Sequence, residues 1–253
     1  GGIKELVIKR HSWIRLFRTF HAGIAVLVPA ITGLLLGITV AALTANRRRG
    51  LNVLTRFLGQ FGAWIAGMKV EIKGLPIGGL KGPALVVLNH QSGLDPIIVC
   101  HVIKSNVVGI AKRQLKYNPL LGPLFWFAES IFVDRADREQ RRIALQGARI
   151  AFSRGLIVAV APEGRRQSAE PLAPFRLGGF RLATDAGVPI VPLVIHDSAK
   201  LLPPRSRELR PGTVHVDILP AIDTREWQDK TDEALAAFVH AAMLQALLRE
   251  PAQ

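Results

Sequence analysis

The sequence predicts an α/β protein: a mixed, mostly parallel central sheet with helices on both faces, preceded by an N-terminal membrane-associated two-helix segment. Three observations predict it. From Met68 onward, short runs rich in β-branched residues alternate with longer helical stretches, the pattern of a sheet covered on both faces. No charged residue occurs from Thr19 through Asn46. Basic residues flank that apolar run on both sides: Lys4, Lys9, Arg10, Arg15 and Arg18 before it, Arg47, Arg48 and Arg49 after it.

The elements follow in chain order. Ala22–Ala45 is almost wholly apolar and as a helix would be roughly 36 Å long, longer than the roughly 30 Å hydrocarbon core of a bilayer. Pro29, Gly33 and Gly37 interrupt it, which permits a kink or close helix packing. A simple span has cations mainly at one end, so cations at both ends suit a pair that enters and leaves the same leaflet. Leu51, Leu54, Phe57, Leu58, Phe61, Trp64, Ile65 and Met68 then recur at helical spacing. That stripe fits a second helix lying on the membrane or on the first helix; ordinary core packing accounts for it equally. Residues 1–68 are thus expected as anchoring helices and 69–253 as one α/β domain. Strands are expected at Val70–Lys73, Ala84–Leu88, Val107–Ile110, Ser130–Val133, Leu156–Val160, Ile190–Ile195 and Val214–Ile218. Helices are expected at Arg138–Ser153, Arg176–Ala186 and Asp232–Arg249, and a loop at Leu201–Pro211.

Composition narrows the partner. Hydrophobic residues make up 49% of the 253 residues and the formal net charge is +14, with a mean hydropathy of +0.26. A membrane surface or a phosphorylated lipid satisfies both the apolarity and the charge, whereas nucleic acid satisfies only the charge. Aromatics are 6% and do not interleave with the basic residues as base-stacking platforms would, so no nucleic acid partner is expected. The single cysteine, Cys100, excludes an internal disulfide and a Cys-rich zinc site.

The first candidate site is Asn89-His90-Gln91-Ser92-Gly93-Leu94-Asp95-Pro96, directly after a buried-strand run, where α/β folds bind ligands. His90 and Asp95 are five apart, about 140° apart on a continuous helix, so they meet only if a loop folds one onto the other. Asp95 as helix cap with Pro96 as first helical residue would allow this. A histidine held by a carboxylate is a general base for a hydroxyl proton; a capping aspartate beside an ordinary loop histidine is the other reading of the spacing. No neighbouring His, Cys or carboxylate completes a metal site, and Ser92 lacks the Gly-x-Ser-x-Gly elbow of a serine nucleophile. The remaining histidines (His11, His21, His101, His196, His215 and His240) are assigned to structure or solvent. Lys112-Arg113-Gln114-Leu115, Gly122 and Asp134-Arg135 place cations after two strand-like runs. Ala161-Pro162-Glu163-Gly164-Arg165-Arg166-Gln167-Ser168 is a turn after another, with one carboxylate and two guanidinium groups, whose forks suit a phosphate.

Together these blocks resemble the glycerolipid acyltransferase family, whose best-known members are the 1-acylglycerol-3-phosphate acyltransferases. The His-x4-Asp block is met by His90 and Asp95. Lys-x2-Leu-x6-Gly-x12-Arg is met by Lys112, Leu115, Gly122 and Arg135. Of Phe-Pro-Glu-Gly-Thr-Arg-Ser, Pro162, Glu163, Gly164 and Arg166 are present, with Ala161, Arg165 and Gln167 as departures. Val-Pro-Ile-Val-Pro is met by Val188–Pro192. The resemblance implies acyl transfer from acyl-CoA or acyl-carrier protein to the sn-2 hydroxyl of a lysophospholipid acceptor, 1-acyl-glycerol-3-phosphate. It implies His90 as the base and Asp95 as its orienting partner. Lys112, Arg135, Glu163, Gly164, Arg165 and Arg166 would bind substrate, with Lys112 a candidate to stabilise the oxyanion. No metal, no cofactor and no acyl-enzyme are implied. The site would sit at the cell membrane among membrane lipids, with the catalytic domain facing the cytoplasm. Arg165 raises the alternative of another lysophospholipid or an amino-lipid as acceptor.

Overall fold

A computed structural model describes residues 2–74, 80–134, 137–164 and 172–249, with side chains from Trp13 onward. Helix α1 (Gly2–Thr44) turns at Ala45-Asn46 into α2 (Arg47–Ile65). The rest of the chain then runs β1 (Met68–Gly74), β2 (Ala84–Leu88), α3 (Asp95–Ile103), β3 (Val107–Lys112), α4 (Gly122–Phe127) and β4 (Ile131–Val133). It continues α5 (Arg138–Ser153), β5 (Ile157–Val160), α6 (Gly178–Ala186), β6 (Ile190–His196), α7 (Ser198–Leu201), β7 (Gly212–Ile218) and α8 (Asp232–Leu248). Two single-turn 3-10 segments, Arg113–Tyr117 and Thr224–Trp227, sit in the connections.

All seven expected strands are present, in one sheet of order β1-β7-β6-β2-β5-β3-β4. Strands β6, β2, β5, β3 and β4 run parallel to one another. Strand β7 is antiparallel to β6 and parallel to β1, so the two strands at that edge run opposite to the rest. This is the mixed, mostly parallel sheet the sequence predicts, and its five parallel strands end on one common edge.

The period-two alternation of a strand divides the core between two faces. Ala84, Val86 and Leu88 of β2 pack with Ile97 and Ile98 of α3 and Ala63 of α2. Leu85 and Val87 point the other way, to Ala148 and Phe152 of α5, Phe180 of α6 and Val239 and Met243 of α8. Both faces of β2 are therefore dry, which is why it reads as an unbroken apolar run.

The hairpin α1–α2 differs in extent from the expectation. Helix α1 reaches back to Gly2 instead of starting near Ala22. Residues 3–22 contain no Gly or Pro and include several Lys, Arg and Leu, so nothing in their propensities stops the helix before it meets the apolar run. It also continues through Pro29. The two helices cross at a pair of glycines: a Cβ on Gly37 would lie 2.7 Å from the Gly50 carbonyl oxygen. A Cβ on Gly50 would collide with the Gly37 carbonyl in turn. The lipid-like side of α1 is visible in its exposed residues Trp13, Phe17, Phe20, Val28, Ile31, Leu35 and Ile38, which recur three or four apart along one face save for a two-turn gap between Phe20 and Val28. The stretch Trp13–Thr44 is long and apolar enough to cross a membrane, with a mean hydropathy of 2.4 in its most apolar window.

Candidate active site

Strand β2 delivers His90 to the common edge, and the loop after it is fixed at four points. Asn89 is fully buried. Its side-chain amide donates to the Ile195 carbonyl at 2.9 Å while its carbonyl accepts from the Ile195 N–H at 2.7 Å. The side chain thus imitates one more rung of the β2–β6 ladder, past the last backbone pairing at Leu88–Leu193. Next, the His90 backbone N–H donates to Glu163 Oε1 at 2.9 Å. Ser92 is buried; its hydroxyl donates to the Leu202 carbonyl at 2.8 Å and accepts from the Leu94 N–H at 3.2 Å.

Asp95 is the fourth point. Its Oδ2 accepts from His90 Nδ1 at 2.7 Å and from the backbone N–H groups of Gln91 and Ser92, each at 2.9 Å. The loop therefore brings the two residues together as the pairing requires. The expected cap geometry is corrected: Leu94 occupies the N-cap position and Asp95 is the first residue of α3. The carboxylate folds back over the preceding loop, since its Oδ2 already serves three donors there and none in the helix it begins. Asp95 is 1% exposed, and its Oδ1 is buried with no partner among the described residues. The His90 side chain is 28% exposed. With Nδ1 turned to Asp95, Nε2 is the ring nitrogen left for another molecule.

Strand β5 brings the second motif alongside. Glu163 is buried, and its two oxygens accept from the His90 N–H and from the Ala173 N–H at 3.0 Å. Burial pushes its carboxyl above the ordinary value of 4.5, against the opposing pull of those two N–H groups and of His90. The resemblance groups Glu163 with the substrate-binding residues; here its carboxylate is occupied by backbone and ties the β5 turn to the His90 loop. Gly164 follows with φ +85°, a left-handed conformation that favours glycine. It closes the turn through its N–H to the Ala161 carbonyl at 3.2 Å.

Lys112 is the last residue of β3 and is exposed. Because β5 lies between β2 and β3 and all three are parallel, Lys112 reaches the same edge as His90 and Glu163. Gly122 is in a tight turn, where a Cβ would lie 2.6 Å from the Lys116 carbonyl oxygen; that contact explains the glycine without a ligand. Arg135, Arg165 and Arg166 lie outside the described residues. No group of three or more His, Cys, Asp or Glu is placed to hold a metal among the described residues.

Sequence reasoning weighed Ser92 only as a nucleophile and gave Asn89 no role. The available signal was small polar residues in the loop directly after a fully buried strand, which burial obliges to find partners. Three of the remaining histidines contact protein groups away from this site: His196 with Asp217 at 3.0 Å, His215 with Glu71 at 3.2 Å, and His101 with the Gly59 carbonyl at 3.1 Å. Burial pushes the Cys100 thiol up to about 12, so it is not a thiolate at neutral pH.

The chain belongs to the acyltransferase family, whose model matches residues 69–196. Particular relatives sharpen this. The 1-acyl-sn-glycerol-3-phosphate acyltransferase of Salmonella typhimurium is 29% identical over 182 residues, 72% of this chain and 74% of that protein. The 1-acyl-sn-glycerol-3-phosphate acyltransferase alpha of Mus musculus is 31% identical over 218 residues, 84% of this chain and 76% of that protein. The crystal structure of the 1-acyl-sn-glycerophosphate acyltransferase PlsC from Thermotoga maritima has the same fold. It matches with a TM-score of 0.75 at 21% identity, over 96% of this chain and 98% of that chain.

Proposed function

We propose that this acyltransferase moves a fatty acyl group from acyl-CoA or acyl-carrier protein to the sn-2 hydroxyl of 1-acyl-glycerol-3-phosphate, giving phosphatidate. The observation that carries the mechanism is the 2.7 Å contact between His90 Nδ1 and Asp95 Oδ2, with Nε2 left for the acceptor. Nε2 takes the hydroxyl proton as the oxygen attacks the thioester carbonyl. Asp95 fixes the tautomer and offsets the charge of the imidazolium. The carbon–sulfur bond then breaks, and the thiolate leaves with the proton from His90. No side chain is acylated, in keeping with the buried, doubly bonded Ser92 hydroxyl and the protonated Cys100 thiol. Lys112, with Arg135, Arg165 and Arg166, holds the acceptor phosphate; cations and arginine forks suit that group. Gly164 lets backbone approach it.

Residues 1–68 anchor the enzyme and 69–253 form the catalytic domain, which faces the cytoplasm where the thioester donors are. Both ends of the hairpin are fastened to that domain. At the turn, Arg47 donates to the Trp126 carbonyl at 2.8 Å and meets Glu129 at 3.5 Å. Toward the other end, Arg15 meets Glu208 at 3.4 Å and the Leu209 N–H reaches the Arg18 carbonyl at 3.4 Å. A helix crossing the bilayer would not keep a polar domain against both its ends, so the exposed stripe of α1 lies within one leaflet. The acceptor lysolipid is then already at the interface.

The experiment is a comparison of turnover on 1-acyl-glycerol-3-phosphate, other lysophospholipids and amino-lipids, with acyl-CoA and acyl-carrier protein each as donor. A preference for the phosphomonoester is expected. Equal turnover without it would replace the proposed acceptor with another lysolipid.

A further inference from the structure

We propose that the excursion from Arg113 to Phe127 is a second lipid-contact element, built for an anionic phospholipid surface; this rests on the membrane reading above. The segment leaves β3 at the catalytic edge, makes the 3-10 turn Arg113–Tyr117 and returns through α4. Its large apolar residues are divided. Phe127 is buried with Leu51 and Leu54 of α2, and Leu34 and Ala41 of α1 pack on that group. Tyr117, Leu120 and Trp126 face outward at 68%, 50% and 63% exposure. The outward residues therefore sit on an element wedged against the hairpin, whose helix α1 also exposes large apolar residues.

The geometry is built, not floppy. Asn118 Oδ1 accepts from the N–H groups of Leu120 and Leu121 at 3.0 and 2.9 Å, and Gly122 permits the close turn over Lys116. Aromatic residues of this kind, with a polar atom at one end, settle at the headgroup level of a membrane.

Charge selects the lipid. From Lys112 to Ala128 there are three cations, Lys112, Arg113 and Lys116, and no acidic residue. A cavity of about 390 Å³ opens beside Trp126, lined by Arg47, Lys116 and Arg154 against the single carboxylate of Glu129. Glu129 is already committed to Arg154 at 2.7 Å and Arg47 at 3.5 Å, so positive charge is in excess at this end of the patch. The Arg47 guanidinium stacks 4.7 Å over one face of Trp126. A surface rich in phosphate groups complements this arrangement, and a neutral surface does not.

The test uses full-length chains with one tryptophan each, the others changed to phenylalanine, on vesicles of bromine-labelled phosphatidylcholine with or without phosphatidylglycerol. One variant keeps Trp126, one keeps Trp13 of α1 and one keeps Trp227 at the far side of the domain. The expected result is quenching of Trp126 and Trp13 but not Trp227. Lys116→Gln should weaken binding to the anionic vesicles about fivefold and leave binding to neutral ones unchanged. Quenching of Trp13 without Trp126 overturns this proposal while leaving the hairpin as the anchor. Quenching of neither overturns the membrane reading itself, and quenching of all three, Trp227 included, overturns the assignment of a localised contact. Equal Trp126 quenching without phosphatidylglycerol, insensitive to Lys116→Gln, overturns the anionic preference.

Discussion

Asp95 Oδ2 lies 2.7 Å from His90 Nδ1 and at the same time caps the N–H groups of Gln91 and Ser92 at 2.9 Å. One oxygen therefore shapes the loop and orients the base. Asp95→Asn tests the charge. With its carbonyl in the Oδ2 place, it still accepts from His90 Nδ1 and from both loop N–H groups, and its amide falls in the buried place of Oδ1, which has no partner among the described residues. What is lost is the negative charge that offsets the imidazolium. The expected outcome is a fall in kcat of about 10³- to 10⁴-fold together with a stability loss of about 1–3 kcal/mol from the unpaired amide, measured by acyl transfer and thermal melting.

Glu163 gives a prediction with a pH signature. Both its oxygens accept backbone N–H groups, and an amide nitrogen cannot accept, so Glu163→Gln sets a donor against a donor. Stability should fall by about 1–3 kcal/mol. Burial raises the carboxyl above 4.5, so the folded chain keeps this proton in a range where the unfolded chain has lost it. The contribution of Glu163 is then greatest below 4.5 and declines as pH rises through the raised folded value. A protonated carboxyl still offers a lone pair on each oxygen, so the gap between wild type and variant should be widest in acid and narrow as pH rises. Chemical denaturation across a pH series reads this directly; a gap that widens instead would mean burial does not dominate.

Much of this was legible in the sequence because it lives in local patterns. Ala84–Leu88 stands out as an unbroken apolar run and Arg138–Ser153 as a helical stretch, and each appears at the bounds expected of it. What was not legible depends on three-dimensional neighbours. The spacing of His90 and Asp95 allowed a pairing, but only the fold places Asp95 inside α3 with its carboxylate turned backwards. The resemblance groups Glu163 with the substrate site, but its hydrogen-bond partners, the His90 and Ala173 N–H groups, are 73 and 10 residues away and have no sequence signature. The reach of α1 to Gly2 was missed because apolarity, and not helix propensity, set the expected start.

Asn89 should be more important for folding than for chemistry. Asn89→Ala strands the N–H and C=O of Ile195 in a dry position at the end of two central strands. A loss of about 2–4 kcal/mol is expected from two unsatisfied buried groups. Denaturation midpoints should drop accordingly, and the residual activity of the folded fraction should recover on cooling.

The hairpin crossing gives a steric prediction. At Gly50 any side chain meets the Gly37 carbonyl and the Ala41 Cβ. Gly50→Leu should cost about 1–3 kcal/mol through overpacking and lower the Tm in detergent, whereas Gly23→Ala, with open space around its position inside α1, should not lower it and gains up to about 1 kcal/mol of helix propensity.

The most direct measurement is transfer of a labelled acyl group from acyl-CoA to 1-acyl-glycerol-3-phosphate in liposomes, comparing wild type with His90→Ala. The substitution removes a partly exposed ring and leaves Asp95 its two backbone donors, so folding should survive. The account predicts labelled phosphatidate from the wild type and a loss of at least about 10³-fold in the variant at unchanged Tm. Phosphatidate formation persisting in a folded His90→Ala protein would contradict it.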